Sequence, residues 1–453
     1  MKDPRYYLSI LAGKSVMGVL KLMGRKATSL PGKLAVAVYP ELLKEINDRC
    51  KKKVLITGTN GKTTTNNIIN HIMRSATGRI ISNLEGSNMR QGLASAFLKN
   101  KKPEYDWGFF EIDEGSFPGI VKYIRPDYVV VTNFFRDQLD RYGEIETTVS
   151  RIRDHVKSLN CTFILNADDP FVAQFGQLSK RALFYGVKRN MLSSRKEVIV
   201  ETRFCPVCSR RLHYRYFNYG HLGEFRCPCG FRNPAYDYYI SRIKQKANRY
   251  HFDFFSRKKV LKGLSFPYTG LYNSYNCAAA LTFCFAAGAD PGVIRKSLET
   301  FEYKLGRLED FRFRNTTVKL VLAKNPIGLT QVLHNISFDR RPKALLLLLN
   351  DNIADGRDVS WIWDADFNLL AEMKDLKAVF CSGRRGEDMA LRIKYAGISL
   401  DLIRRTDDDI RSSIRKILKE NVGIIYIIPT YTALFETRNV LVDYQKHFDR
   451  KGG

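Results

Sequence analysis

The chain is short of acids. Across 453 residues, 46 Asp and Glu face 74 Lys and Arg, a formal net charge of +28. Such a field concentrates anions: nucleic acid, acidic lipid headgroups or phosphorylated substrates. Charge alone does not choose among them. Long apolar runs are also lacking. No stretch of about 18 uninterrupted apolar residues occurs, so no membrane-spanning helix is expected. Residues 6–22 are moderately apolar but carry Lys14 and Lys21 and lack a small-residue cleavage site, so they do not read as a signal peptide. They suit a helix packed on the protein body, with a membrane surface as the alternative. A disulfide framework is missing too. Five of the nine cysteines (Cys50, Cys161, Cys277, Cys284, Cys381) are scattered among apolar residues, as small buried hydrophobes are. That usage suits a reducing cytosol.

What is present is a chain long enough for two or three domains, with 44% hydrophobic and 26% charged residues, as ordinary globular proteins have. Residues 1–50 read as a helical segment punctuated by Pro31 and Pro40. From Val54 onward, strand and helix signals alternate. Val54–Thr57, Trp107–Ile112, Tyr128–Thr132 and Thr162–Leu165 are apolar runs of buried-strand type, and Thr64–Arg74 has helical spacing. Such alternation predicts an α/β domain with a parallel sheet, placed at residues 51–304. Residues 200–235 interrupt it as a small insert. Lys319–Leu322, Ala344–Leu349, Ala378–Cys381 and Gly423–Ile428 predict a second, C-terminal α/β domain over 305–453.

The sharpest motif is Gly58-Thr59-Asn60-Gly61-Lys62-Thr63-Thr64, between a predicted strand and a predicted helix. That context is what a phosphate-binding loop requires. The glycines let the backbone turn and approach phosphate oxygens, and the helix N-terminus offers free N–H groups. Lys62 suits the β/γ-phosphate of ATP and the Thr63 hydroxyl suits Mg2+. Ile56 stands where the usual pattern has its first Gly. Ligands gather at the carboxyl ends of parallel strands. The next such ends carry Glu111-Ile112-Asp113-Glu114, Thr132-Asn133 and Asn166-Ala167-Asp168-Asp169-Pro170. Glu111 is the first choice for a second Mg2+ contact.

In this order, G-T-N-G-K-T-T, T-N followed by D-x-L-D-R-Y-G over Asp137–Gly143, and N-A-D-D-P resemble the Mur ligases. Gly270-Leu271-Tyr272-Asn273-Ser274-Tyr275-Asn276 resembles that family's adenine-contacting segment, and Gly306-Arg307-Leu308-Glu309 its G-R-x-E. The resemblance implies a P-loop enzyme that activates a carboxylate with ATP as an acyl phosphate, which an amine then displaces. It also implies nucleotide contacts at Asn273 and Arg307. Two positions depart from the family: Gln138 stands in place of His, and Ser150-Arg151-Ile152-Arg153 lacks the usual Lys. Only the first Mg2+ position is therefore carried over.

Cys205-Pro-Val-Cys208 and Cys227-Pro-Cys229 form two close pairs with eighteen residues between them. That spacing predicts a structural Zn2+ ribbon with four thiolates and no open position. His213 and His221 are expected at the surface. Arg210, Arg211 and Arg215 interleave with Tyr214, Tyr216, Phe217 and Tyr219. This could stack on nucleic acid, but packing on the host domain is the expectation.

Residues 350–364, with Asp351, Asp355 and Asp358, follow a Leu-rich strand. Together with the four cysteines, Ala323-Lys324-Asn325-Pro326 and Tyr431-Thr432-Ala433-Leu434, they resemble one branch of the Mur ligases. In that branch the synthetase works with a GatD-type glutamine amidotransferase subunit and amidates lipid II in the cytoplasm, at the inner face of the bacterial membrane. No Cys–His glutaminase signature is evident here, in keeping with a separate subunit. Asp355, next to Gly356 at the expected loop apex, is the candidate to orient the partner's histidine. The competing readings are a ligase for a free amino acid, as in folylpolyglutamate synthesis, and a nucleic-acid-binding NTPase.

Overall fold

The computed structural model describes residues 3–23, 28–84, 87–100, 102–137, 145–195, 200–246, 249–257, 259–302 and 308–450. The chain divides into two compact units. One comprises Met1–Phe135 and Ile145–Phe301, the other Arg136–Glu144 and Glu302–Gly453.

The first unit begins with helices α1 (Pro4–Leu22), α2 (Leu30–Val38) and α3 (Leu42–Arg49). Asp3 caps α1 by accepting the Arg5 N–H, and prolines open α1 and α2, where a missing N–H costs nothing. β1 (Cys50–Thr57) then enters a nine-stranded sheet. Its later strands are β2 (Ile80–Ser82), β3 (Tyr105–Glu111), β4 (Tyr128–Val131), β5 (Thr162–Asn166) and β6 (Ala182–Val187). β9 (Tyr238–Lys246), β10 (Arg249–Ser256) and β11 (Val260–Phe266) complete it, in the order β11-β10-β9-β6-β5-β4-β1-β3-β2. Pairing from β2 across to β9 is parallel. The expected parallel sheet is therefore its centre, and β9–β11 add an antiparallel edge that the reading above lacked. Helix α4 (Lys62–Ala76) follows β1, and α5 (Arg90–Lys99) follows β2. The main core packs Leu55, Phe110, Val129, Phe163 and Leu165 from the sheet against Leu93 and Phe97 of α5 and Leu42 and Ile46 of α3.

The insert carries its own two-stranded sheet, β7 (His213–Tyr219) with β8 (Leu222–Arg226). Tyr216, Phe217 and Tyr219 are buried. Tyr219 lies edge-on to Tyr275 at 5.5 Å, so these rings pack on the host domain. Asn218 Nδ2 donates to Val187 O at 2.9 Å and to the Tyr275 hydroxyl at 2.7 Å. His213 is exposed. His221 corrects the surface expectation: it is fully buried, ring-to-ring with Phe135 at 4.6 Å and with Nε2 3.4 Å from Asp169 Oδ1. The hairpin turn at Gly220 (φ 51°) points it inward, a direction that composition does not reveal.

The second unit holds β12 (Leu308–Phe313), β13 (Thr316–Val321), β14 (Lys343–Leu348), β15 (Leu376–Ser382), β16 (Ile403–Arg405) and β17 (Ile424–Pro429). Their order is β12-β13-β17-β14-β15-β16, parallel except for the β12–β13 hairpin. β14 and β17 are buried along their whole length, as central parallel strands are.

Candidate active site

The loop after β1 turns through two positive-φ glycines, Gly58 at 118° and Gly61 at 84°. Space as well as dihedral demands glycine here. A Cβ on Gly58 would fall 2.3 Å from Thr132 Oγ1, and one on Gly61 2.0 Å from Asn276 Oδ1. Asn133, at the end of β4, clamps the loop. It accepts the Asn60 N–H through Oδ1 at 2.9 Å and donates through Nδ2 to Asn60 O at 3.1 Å. Thr59 N donates to Asn133 O at 2.8 Å, and the Thr59 hydroxyl exchanges hydrogen bonds with the Phe135 backbone. The end of the neighbouring strand β4 thus fixes the loop at the carboxyl edge of the sheet.

Lys62 and Thr63 begin α4. The Lys62 ammonium is buried and donates to Glu114 Oε2 at 2.9 Å, to Thr59 O at 3.1 Å and to Gly58 O. Burial works against its charge. Glu114, Asp113 and Glu111 outweigh that and hold its pKa above the usual value, so Lys62 is a fixed cation. Thr63 Oγ1 donates to Glu111 Oε2 at 2.6 Å. Asn83 holds Glu111 in turn, accepting its N–H at 2.9 Å and donating to its carbonyl at 2.8 Å. Lys62, Thr63, Glu111 and Glu114 therefore converge. Glu114 and Asn133 were not singled out among the strand-end residues. The pairing of Glu114 with Lys62 spans 52 positions and leaves no local pattern.

Thr64 follows Lys62 on the buried face of α4. Asn273 is fully buried and donates to Thr269 O at 2.7 Å, while Asn276 of the same helix, Leu271–Ala286, abuts Gly61. Arg307, with Gly306, Gln138 and the rest of the D-R-Y-G segment, lies outside the described residues. The N-A-D-D-P cluster serves the scaffold. Asp169 caps the turn at Pro170–Ala173 and accepts the Phe134 N–H at 2.8 Å. Asp168 accepts from the Tyr275 hydroxyl at 2.6 Å, the Val187 N–H at 2.9 Å and the Tyr236 hydroxyl.

The four insert cysteines come together, with every Sγ within 4.8 Å of the others. Cys205 and Cys229 are 3.8 Å apart, Cys208 and Cys227 3.4 Å. The two pairs sit in similar knuckles. Cys205 N donates to Arg210 O and Cys227 N to Phe231 O, both at 2.7 Å, and each knuckle closes on a left-handed residue, Ser209 (φ 58°) or Gly230 (φ 92°).

In the second unit the loop after β14 does not carry Asp355 at its apex. Ile353 is the exposed tip (77%), and Asp355 turns inward at 5% exposure. Its Oδ1 accepts the Thr432 N–H at 2.7 Å, and Oδ2 accepts the Thr432 hydroxyl. Asn350 and Asn352 also donate to Thr432 Oγ1, at 3.2 and 2.9 Å. The Asp-rich and Tyr431–Leu434 segments thus meet at one threonine, at the N-terminus of helix Tyr431–Arg450. Asp351 faces Arg384 and Arg385, and Asp358 accepts the Ser360 N–H at 2.8 Å. A cavity of about 30 Å³ beside Asp355 is lined by Asp137, Lys324, Asn325, Asp358 and Trp361 among others.

Residues 56–227 match the Mur ligase middle domain, and 322–434 the MurT ligase C-terminal domain. A pseudomurein peptide ligase type C from Methanothermus fervidus superimposes with a TM-score of 0.68 at 21% identity, over 87% of this chain and 79% of that one. MurF of Thermotoga maritima, solved with ADP, gives 0.63 at 14% identity over 93% and 84%. Fold and loop together define an ATP-dependent ligase of the Mur type. The Staphylococcus aureus (strain COL) protein named lipid II isoglutaminyl synthase (glutamine-hydrolyzing) subunit MurT is 35% identical over 95% of this chain and 96% of its own. The Streptococcus pneumoniae (strain ATCC BAA-255 / R6) protein of that name is 34% identical over 97% of both. The chain belongs to the MurT family.

Proposed function

We propose that the chain is the synthetase subunit of a lipid II isoglutaminyl synthase and converts the α-carboxyl of D-glutamate in the lipid II stem peptide to a carboxamide. The observation that carries this reading is the convergence of Lys62, Thr63, Glu111 and Glu114 at a phosphate loop, in a chain similar to MurT subunits along nearly its whole length. Bound ATP would supply the γ-phosphoryl group that makes the carboxylate an acyl phosphate. Ammonia then attacks the carbonyl carbon and phosphate leaves. Gly58–Thr64 would cradle the phosphates, with Lys62 neutralising β/γ charge. Thr63 and Glu111 would hold Mg2+, since a hydroxyl and a carboxylate oxygen 2.6 Å apart are hard ligands in reach of one ion. Asn273 and Arg307 would contact the nucleotide.

The ammonia would come from a GatD-type amidotransferase partner, with Asp355 orienting its catalytic histidine. To do so Asp355 would exchange its bond with the Thr432 hydroxyl for one across the interface. Zn2+ fits the cysteine cluster. A tetrahedral ion with Zn–S near 2.3 Å needs sulfurs about 3.8 Å apart, and the paired sulfurs lie at 3.8 and 3.4 Å. Four thiolates leave no open position, so the ion would hold the insert's fold rather than act on substrate. ATP-dependent action on lipid II would place the enzyme in the cytoplasm, at the inner face of the membrane.

The test is amidation of purified lipid II, read by mass, with ATP and either ammonium chloride or glutamine plus the partner subunit. Amidation with ammonium but no partner, and with glutamine only when the partner is present, is the expected pattern. ATP turnover stimulated by DNA or RNA, or by a free amino acid, without a carboxamide product would refute it.

A further inference from the structure

The large apolar side chains that the fold leaves exposed are unevenly placed. Of nineteen among the described residues, eight fall between Tyr7 and Leu34. Leu8, Leu11, Val19 and Leu22 line the outside of α1, and Leu30 and Leu34 that of α2. No helix of the described residues is long and apolar enough to cross a membrane.

The buried residues of α1 are Tyr6, Ser9 and Gly13, and Ile10 and Met17 pack half-buried against the core. A Cβ on Gly13 would lie 2.4 Å from Leu98 Cδ1 and 3.3 Å from Ala35 Cβ, so the helix comes closest to the body at this glycine. α2 does the same through Gly32, whose N–H donates to Ser95 Oγ at 2.9 Å. A helix that packs on one side and meets water on the other ordinarily places polar residues outside. Here the outer face holds leucines instead. Its charges have one sign. No Asp or Glu occurs from Pro4 to Pro40, while Arg5, Lys14, Lys21 and Lys33 are all exposed.

We infer that the outer face of α1 and α2 docks on an anionic bilayer. The leucines enter the boundary between headgroups and acyl chains, and the basic side chains stay at the level of the lipid phosphates. Charge selects this occupant over a second copy of the chain. A symmetric dimer through this face would bring like charges together, whereas an acidic leaflet neutralises them. The lipid-linked substrate proposed above supplies a use for the surface and is the one point at which this inference rests on that reading. Exposure and charge stand without it.

Sedimentation of the full chain, alone and with its amidotransferase partner, with sucrose-loaded vesicles tests the assignment. Binding to phosphatidylglycerol/phosphatidylethanolamine vesicles should exceed that to phosphatidylcholine on the order of tenfold and weaken in high salt. The L8S/L11S/L22S variant should lose binding on the order of tenfold or more, and K14E/K21E should lose the preference for anionic lipid. All three leucines are exposed, so thermal melting should match the wild type. Three results would overturn the assignment: wild-type protein remaining in the supernatant, the triple variant sedimenting as well as the wild type, or a wild-type dimer that the triple variant converts to monomer. Amidation of a soluble substrate without the lipid tail reports on the catalytic reading alone, so the two ideas fail separately.

Discussion

Two loops follow central parallel strands, one in each unit, and they use their acids in opposite ways. After β1, a buried cation is surrounded by carboxylates from the end of β3, and every partner of Lys62 belongs to the same unit. After β14, no cation among the described residues pairs with Asp355, and its two oxygens bind a helix N-terminus. The first arrangement gathers the groups proposed above to hold phosphate. Under the same proposal the second is an acid whose threonine partner would be exchanged for a group of the amidotransferase subunit. The contrast predicts that damage to the first loop harms every reaction, while damage to the second harms only the reaction that needs a partner.

Asp355→Asn tests the contrast most severely. An amide cannot stabilise a protonated imidazole, and loss of the orienting acid in such triads costs about 10⁴-fold. Glutamine-dependent amidation should fall by about that factor, while ammonium-dependent amidation stays within about threefold. The second unit should remain folded, because Asn also caps helices well. Equal loss with both nitrogen sources would make Asp355 a purely structural cap and erase the distinction.

Lys62→Ala should show the converse. Both reactions should fall by about 10²–10³, since a charged donor to the phosphates is lost whatever the ammonia source. Glu114 would be left buried without its cation, so the first unit should also lose stability, by about 3 kcal/mol in urea titration. Retained ammonium-dependent activity would separate Lys62 from the chemistry. Gly61→Ala should act more mildly. It forces φ near 84° on an L-residue and drives a methyl group against Asn276. The expected result is a KM for ATP raised about tenfold with kcat less affected, because the loop is misplaced rather than stripped of charge.

Legibility followed the same division. The loop over Gly58–Thr64 could be read because its residues are contiguous, and the cysteine knuckles because their thiols pair at close spacing. Asp355 was identifiable as a residue but not in its direction, since Thr432 lies 77 positions away. Glu114, Asn133 and Asn276 act through contacts that only the parallel sheet creates. The β9–β11 edge did leave a trace, the alternation Tyr250, Phe252, Phe254, but the stretch between the insert and the helix at Leu271 was assigned no strands. His221 and α1 mark the limit. Burial of a lone histidine, and which side of an apolar helix faces the body, depend on neighbours far along the chain.

The smallest effect concerns pH, and here the two units differ in sign. In the first, burial pushes the Asp168 carboxyl up to about 6, despite hydrogen bonds from Tyr236, Tyr275, Val187 and Asn233. The unfolded chain loses that proton near pH 4, so between about pH 4 and 6 the folded unit binds more protons than the unfolded one. This stability is present below pH 4 and is lost as pH rises through 6. In the second unit burial opposes the charge of Asp339, but Arg341 and the Tyr426 hydroxyl outweigh it and bring the carboxyl down to about 2. That contribution is full above pH 4 and is lost as pH falls toward 2. Urea midpoints across pH 2–7 read both. The stability difference between wild type and Asp168→Asn should shift against the wild type from pH 4 to 6, because the amide does not titrate. The difference between wild type and Asp339→Asn should shift against the wild type below pH 4. A difference that is flat across pH for Asp168→Asn would mean that its carboxyl keeps its ordinary pKa in the fold, and the hydrogen bonds from Tyr275 and Tyr236 would then have to offset burial fully.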